Sequence, residues 1–171
     1  QRKLRKNNQF KTVALIGYTN AGKTMLFNRL TKKKQSSRSR LFETLDTKIS
    51  RVYLGENIYI GLIDTVGFIN NIPTSLIESF KATLEEVKKA DILLNIVDVN
   101  DINAKNKIKV TKDILFETGV DHNKIKDMVI VYNKIDIKNN KYPIQYKKNY
   151  ISALTGNGVS ELKDMLKSSI T

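Results

Sequence analysis

Val13-Ala14-Leu15-Ile16 runs directly into Gly17-Tyr18-Thr19-Asn20-Ala21-Gly22-Lys23-Thr24. The first stretch is a short apolar run of the kind that forms a buried strand, and the second fits the pattern G-x-x-x-x-G-K-[ST]. Met25, Leu26 and Leu30 then recur at helical spacing, which predicts a helix over Lys23–Thr31 with those side chains inward. A strand that enters and a helix that leaves is the context in which this pattern cradles phosphate. Glycines let successive backbone N–H groups turn inward, and the helix N-terminus adds free donors and a favourable dipole. Lys23 would bring a point charge to the β- and γ-phosphates, and the Thr24 hydroxyl would be a ligand for Mg²⁺. The competing reading is a chance glycine loop, and the strand and helix around it argue against that.

Working outward, short apolar runs alternate with helix-period segments, the pattern of a mostly parallel sheet with helices on both faces. Arg51–Leu54 and Ile58–Ile63 flank Gly55-Glu56-Asn57, a hairpin turn that makes one strand antiparallel at the sheet edge. Pro73 and Ser75, with Glu78 following, predict a helix entry with a capping box, and Leu76, Phe80, Leu84 and Val87 supply its buried stripe. Ile92–Val99 and Met128–Tyr132 read as central strands, with a Lys-rich helix over Ala104–Thr118 closed by Gly119. Tyr150-Ile151 is expected to be a short last strand and Val159–Lys167 the final helix. Lys32–Leu41 is polar, basic and aperiodic, so a mobile loop is expected there, and an irregular connection between Asn139 and Lys148. The expected fold is α/β: a P-loop NTPase domain over residues 12–171, with about six strands, one of them an antiparallel edge strand.

Asp64-Thr65-Val66-Gly67 follows the strand Ile58–Ile63. A carboxylate at the end of such a strand is placed to hold the metal, and Gly67 can bring its N–H close to a γ-phosphate. Phe42-Glu43-Thr44-Leu45-Asp46 lies between the two motifs, after the basic loop. Thr44 is the candidate to complete the magnesium shell when a γ-phosphate is present, against the alternative of a surface Thr leading into a strand. Thr24, Thr44 and Asp64 are therefore the candidate metal ligands, and Lys23, Thr44 and Gly67 the candidate catalytic groups.

Asn133-Lys134-Ile135-Asp136 comes directly after a predicted strand. An Asp carboxylate can accept hydrogen bonds from N1–H and the exocyclic amine of guanine. Adenine offers an acceptor at N1 and no such amine, so Asp136 would be left unpaired. Lys134 can lay its stem over the base, Asn133 can tie this loop to the phosphate loop, and Ser152-Ala153-Leu154 would place a backbone N–H at guanine O6. GTP and GDP are the ligands this set implies.

The chain carries 30 Lys+Arg against 17 Asp+Glu, a net charge of +13. Such an excess suits work near phosphate backbones, although drift towards Lys across the whole chain would also produce it. Absence of cysteine excludes disulfides and thiolate metal sites, and a single histidine, His122, argues against a zinc centre. No apolar run approaches the roughly 20 residues of a membrane span. A monomer is expected.

These motifs together resemble the HflX GTPases. The likeness lies in the phosphate loop with Leu26-Phe27-Asn28, in Leu41-Phe42-Glu43-Thr44-Leu45-Asp46 and in Asp64-Thr65-Val66-Gly67-Phe68-Ile69. It continues in Phe80-Lys81-Ala82-Thr83-Leu84-Glu85-Glu86, Tyr132-Asn133-Lys134-Ile135-Asp136 and Ile151-Ser152-Ala153, so it covers Val13 to Leu166. The resemblance implies a ribosome partner, chiefly the large subunit or its RNA, and a part in ribosome splitting or rescue. It also implies a cytoplasmic protein, or one of an organelle matrix if a transit peptide precedes this sequence. Residues 1–11 are expected to be the tail of a linker helix, since the family's N-terminal domain is absent from this sequence. Thr47 stands where the family usually has Pro, which leaves the neighbouring loop less restrained, whereas Thr24 in place of the commoner Ser keeps the hydroxyl. Asn20 matches the loop asparagine that ligates K⁺ in potassium-activated relatives, with stabilisation of the loop turn as its alternative role. Phe68 stands where many GTPases carry a water-orienting glutamine, so intrinsic turnover should be slow and the domain could serve chiefly as a nucleotide-dependent binding module. An RNA-binding scaffold would need a damaged nucleotide site, and every motif is intact.

Overall fold

Strand β1 (Thr12–Ile16) alternates its apolar side chains between two faces, and the domain is built around that alternation. In the computed structural model, which describes residues 10–32, 48–68, 77–137 and 149–170, β1 lies at the centre of a five-stranded sheet. The other strands are β2 (Lys48–Gly55), β3 (Ile58–Asp64), β4 (Ile92–Asp98) and β5 (Val129–Asn133), in the order β2-β3-β1-β4-β5. β1 pairs parallel with β3 and β4, and β4 parallel with β5. β2 is the antiparallel edge strand, paired with β3. Its hairpin turns at Glu56 and Asn57, both at positive φ (48° and 60°), as a two-residue turn matched to the strand twist requires.

Helices α1 (Lys23–Thr31), α2 (Ile77–Lys89), α3 (Ala104–Glu117), α4 (His122–Lys126) and α5 (Val159–Ser168) cover the sheet. Val13, Leu15, Leu94 and Ile96 face Leu26, Phe27 and Leu30 of α1 and Leu162 and Leu166 of α5 in one buried cluster. Ala14, Ile16, Ile63 and Leu93 face the other side, with Leu84 and Val87 of α2, Leu115 of α3 and Ile125 of α4. Because the central strands are parallel, their C-terminal ends open on the same edge, where loops can converge on a ligand.

The expected sixth strand is reduced to one parallel bridge between Tyr150 and Tyr132. Ile151 N donates to Tyr132 O (2.8 Å), but Ala153 N, the next amide on that side, donates to the Asn133 side chain (2.9 Å), so no second ladder rung forms. The short helix α4 was not foreseen. Asp121 caps it, accepting from the Asn123 and Lys124 amides. The expected capping box at Pro73 and Ser75, the basic loop, the 139–148 connection and most of the 1–11 segment lie outside the described residues.

Candidate functional site

The phosphate loop joins β1 to α1 through left-handed backbone at Asn20 (φ 62°) and Gly22 (φ 94°). Gly22 caps α1 without a side-chain hydrogen bond, and no acidic residue occupies the first turn. Gly22 has no side chain to cap this end and the first turn carries no negative charge, so the helix N-terminus suits an anion. Lys23 is buried, and its Nζ donates to the Tyr18 carbonyl at 2.9 Å. Burial lowers its pKa to about 8, with the Asp64 carboxylate pulling the other way. A buried ammonium of this kind is stabilised by a nearby anion.

Asp64 ends β3, fully buried, and Thr24 Oγ1 donates to its Oδ2 at 3.0 Å. A hydroxyl and a carboxylate converging beside the lysine are hard oxygen donors, a set that fits Mg²⁺, which keeps several waters and phosphate oxygens as its remaining ligands. Thr65 is tied by its hydroxyl to the Leu15 carbonyl (2.5 Å), and Val66 is buried. The segment is then stitched to the phosphate loop: Phe68 N donates to Gly17 O (3.0 Å) and Thr19 N to Phe68 O (2.9 Å). Gly67 lies so close that a Cβ there would meet Lys23 Nζ and Thr19 N, each at 2.8 Å. Phe68, 3% exposed, packs against Tyr18 and edge-on to Phe80 of α2. Phe42, Glu43 and Thr44 lie outside the described residues.

Asn133, at the end of β5, joins the two halves of the site. Its Nδ2 donates to Ala21 O in the phosphate loop (2.8 Å), and its Oδ1 accepts from Ala153 N (2.9 Å). Asn133→Ala would leave both backbone groups buried without partners, so stability to urea should fall by about 2–4 kcal/mol. A shift under about 0.5 kcal/mol would contradict this tie. Asp136 is half-buried and its Oδ1 accepts from Ser152 Oγ (2.5 Å). Lys134, at φ 70°, reaches Asp98 with its Nζ (2.8 Å).

Of the Ser152-Ala153-Leu154 amides, Ser152 N serves Asn157 O and Ala153 N serves Asn133, which leaves Leu154 N–H as the available donor among the described residues. Sequence reasoning missed two supports of this loop. Arg29 of α1 donates from Nε to Ala153 O (2.5 Å) and from Nη2 to Leu154 O, and Asp98 holds Lys134. Asp98 carries the same signal as Asp64, a carboxylate at a strand's C-terminal end; Arg29 carries none, being an ordinary helix residue by sequence.

The profile of the 50S ribosome-binding GTPase family matches residues 12–134. The chain belongs to that family. Within it the likeness is to HflX: the GTPase HflX of Caldanaerobacter subterraneus subsp. tengcongensis is 40% identical over 167 residues, covering 98% of this chain and 38% of that protein. A chloroplastic GTP-binding protein of Arabidopsis thaliana is 38% identical over 150 residues, covering 88% of this chain and 23% of that protein. The chain thus spans well under half the length of these curated relatives. Among solved structures, a GTP-binding protein of Sulfolobus solfataricus in complex with GDP superposes with a TM-score of 0.71 at 27% identity, covering 98% of this chain and 54% of that one. The domain is of the HflX GTPase type. Among the described residues no helix is long and apolar enough to cross a membrane.

Proposed function

We propose that this domain binds GTP, hydrolyses it slowly, and couples that cycle to association with the large ribosomal subunit. The observation that carries the nucleotide reading is Asn133, one buried side chain hydrogen-bonded at once to the phosphate loop and to the Ser152-Ala153-Leu154 loop. Phosphate and base recognition are therefore held in fixed relation.

In this reading the 17–24 loop wraps the phosphates, Lys23 neutralises charge at the β- and γ-phosphates, and Gly67 offers its N–H to the γ-phosphate. Thr24 and Asp64, joined by Thr44, would hold Mg²⁺, which when bound offsets negative charge on the phosphate oxygens. Phe42 and Glu43 flank Thr44 beside the nucleotide, and Thr65 and Val66 fix the approach of Gly67. Asp136 pairs with guanine, Lys134 covers it, and Ser152, Ala153 and Leu154 close its O6 edge. Residues 12–171 form the G domain and 1–11 a linker segment leading to it.

Phe68 supports slow turnover and the part of a nucleotide-dependent binding module reset by hydrolysis. Buried between Tyr18 and Phe80, it offers no polar group to orient an attacking water. Single-turnover hydrolysis should run near the order of 10⁻⁴ to 10⁻² s⁻¹ with GTP and be undetectable with ATP. Equal rates with both nucleotides would contradict the base site.

Asn20 is exposed, at positive φ, and its side chain makes no hydrogen bond among the described residues. Its carbonyl oxygen is thus open to a K⁺ ion, whose charge would act where an arginine finger acts in other GTPases. Hydrolysis should then be at least about tenfold faster in KCl than in NaCl at matched ionic strength. Equal rates would rule this out. The net charge of +13 suits a ribosomal RNA partner, and the length of the relatives leaves room for further contacts outside this domain. The compartment follows the parent protein, cytoplasm or an organelle such as that of the Arabidopsis relative.

A further inference from the structure

A cavity of about 100 Å³ lies between the phosphate loop (Tyr18–Ala21), the end of β4 and α3. It shares Tyr18–Ala21 with the phosphate loop, but none of Lys23, Thr24, Asp64, Asn133 or Asp136 lines it, so it abuts the nucleotide site from the α3 side. Asn95 and Thr111 do line it, each only 1% exposed. Asn95 interrupts an otherwise apolar strand, Ile92-Leu93-Leu94-Asn95-Ile96-Val97, where a leucine would pack without penalty. Neither Asn95 Nδ2 nor Thr111 Oγ1 has a hydrogen-bond partner among the described residues.

A buried amide and hydroxyl left unpaired carry their full desolvation penalty, whereas a polar cavity of this size accommodates several waters. The charges beside it are already matched: Asp98 with Lys134 at 2.8 Å and Asp101 with Lys107 at 2.5 Å. A neutral hydrogen-bonding ligand therefore fits better than an ion.

We propose that this cavity is a water-binding site that fastens the back of the phosphate loop to α3, with Asn95 and Thr111 as its anchoring, positioning side chains. Asn95 is well placed for this, since its Oδ1 lies 3.0 Å from where a Cβ on Gly17, the first glycine of the loop, would stand. The bound water braces the loop from the side opposite α1, and loosening it should speed nucleotide release without altering the choice of base. The effect on nucleotide rests on the GTP reading above; the water itself does not.

The test is Thr111→Val, which keeps the shape and removes the hydroxyl, with Asn95→Leu as a second variant of similar volume. Two quantities are read: the Tm of the nucleotide-free chain and the GDP dissociation rate. With water bound, each variant loses a hydrogen bond, so Tm should fall by about 2–4 °C and GDP release should quicken about fivefold, with the preference for GDP over ADP unchanged. A dry cavity predicts the opposite sign, because removing an unpaired hydroxyl leaves Tm equal or higher; that result would overturn the proposal. A fall in Tm with unchanged GDP release would overturn the bracing role. Should GDP not bind even to the unaltered chain, the nucleotide reading fails, and the sign of the Tm shift still decides whether water is held.

Discussion

Asp136→Asn should lose GTP affinity by about 10²- to 10⁴-fold, the value of two hydrogen bonds to a charged acceptor, and gain affinity for XTP. The carboxylate of Asp136 accepts from both guanine N1–H and the exocyclic amine. An Asn in its place presents a donor to that amine, which mismatches guanine but suits the C2 carbonyl of xanthine. Ser152 Oγ already donates to Asp136 Oδ1, so the side chain is aimed before any base arrives. The Asn carbonyl can still accept that hydroxyl, which keeps the loop in place and confines the change to the base. Competition by GTP and XTP against a fluorescent guanine nucleotide reads both affinities. Unchanged GTP binding would mean that the base is held elsewhere.

Gly22→Ala should abolish detectable nucleotide binding and cost about 3–5 kcal/mol of stability, combining backbone strain with broken buried hydrogen bonds. A Cβ there would sit 2.2 Å from Asn133 Nδ2, at a φ of 94° that side chains rarely adopt. To make room, Asn133 must abandon Ala21, and its hold on Ala153 goes with it. Gly55→Ala is the matched control. Its φ is 102°, yet nothing lies within 4 Å of the added Cβ, so it should cost about 1 kcal/mol of strain and leave nucleotide affinity intact. Urea denaturation with GDP titration separates the two variants. Equal behaviour would show that strain, and not the contact with Asn133, makes Gly22 necessary.

Much of this was legible in the sequence because local and tertiary demands agree there. α1 spans the predicted Lys23–Thr31, since Gly22 fixes its start and Leu26 and Leu30 mark one buried face. The hairpin at Glu56 and Asn57 was readable from turn chemistry, and β4 from a short, mostly apolar run of strand length buried on both faces. What was not legible depends on partners distant in sequence. Tyr150-Ile151 has strand composition, but Lys134 turns left-handed and Ala153 N goes to the Asn133 side chain, which leaves a single bridge. α4 is too short to show a period, and only Asp121 announces it. Arg29 supports the Ala153 and Leu154 carbonyls across the domain, a role that no local pattern encodes. By sequence Phe68 is a position without the polar group that orients water; the structure adds that it is a packed core residue, its backbone stitched to Gly17 and Thr19.

That stitching bears on activation. Hydrogen bonds between Phe68 and the phosphate loop hold the Asp64–Phe68 segment in one arrangement, and a partner that rearranges it must supply the difference in free energy. Contacts with a ribosomal surface could do so, and the basic charge of the domain would make the association steeply salt-dependent. GTP turnover of the full-length protein, titrated with large ribosomal subunits at two salt concentrations, tests this account most directly. The predicted result is a rate that rises from the slow intrinsic value as subunits are added, with half-saturation moving to higher subunit concentration at the higher salt. A flat titration at both salts would contradict it.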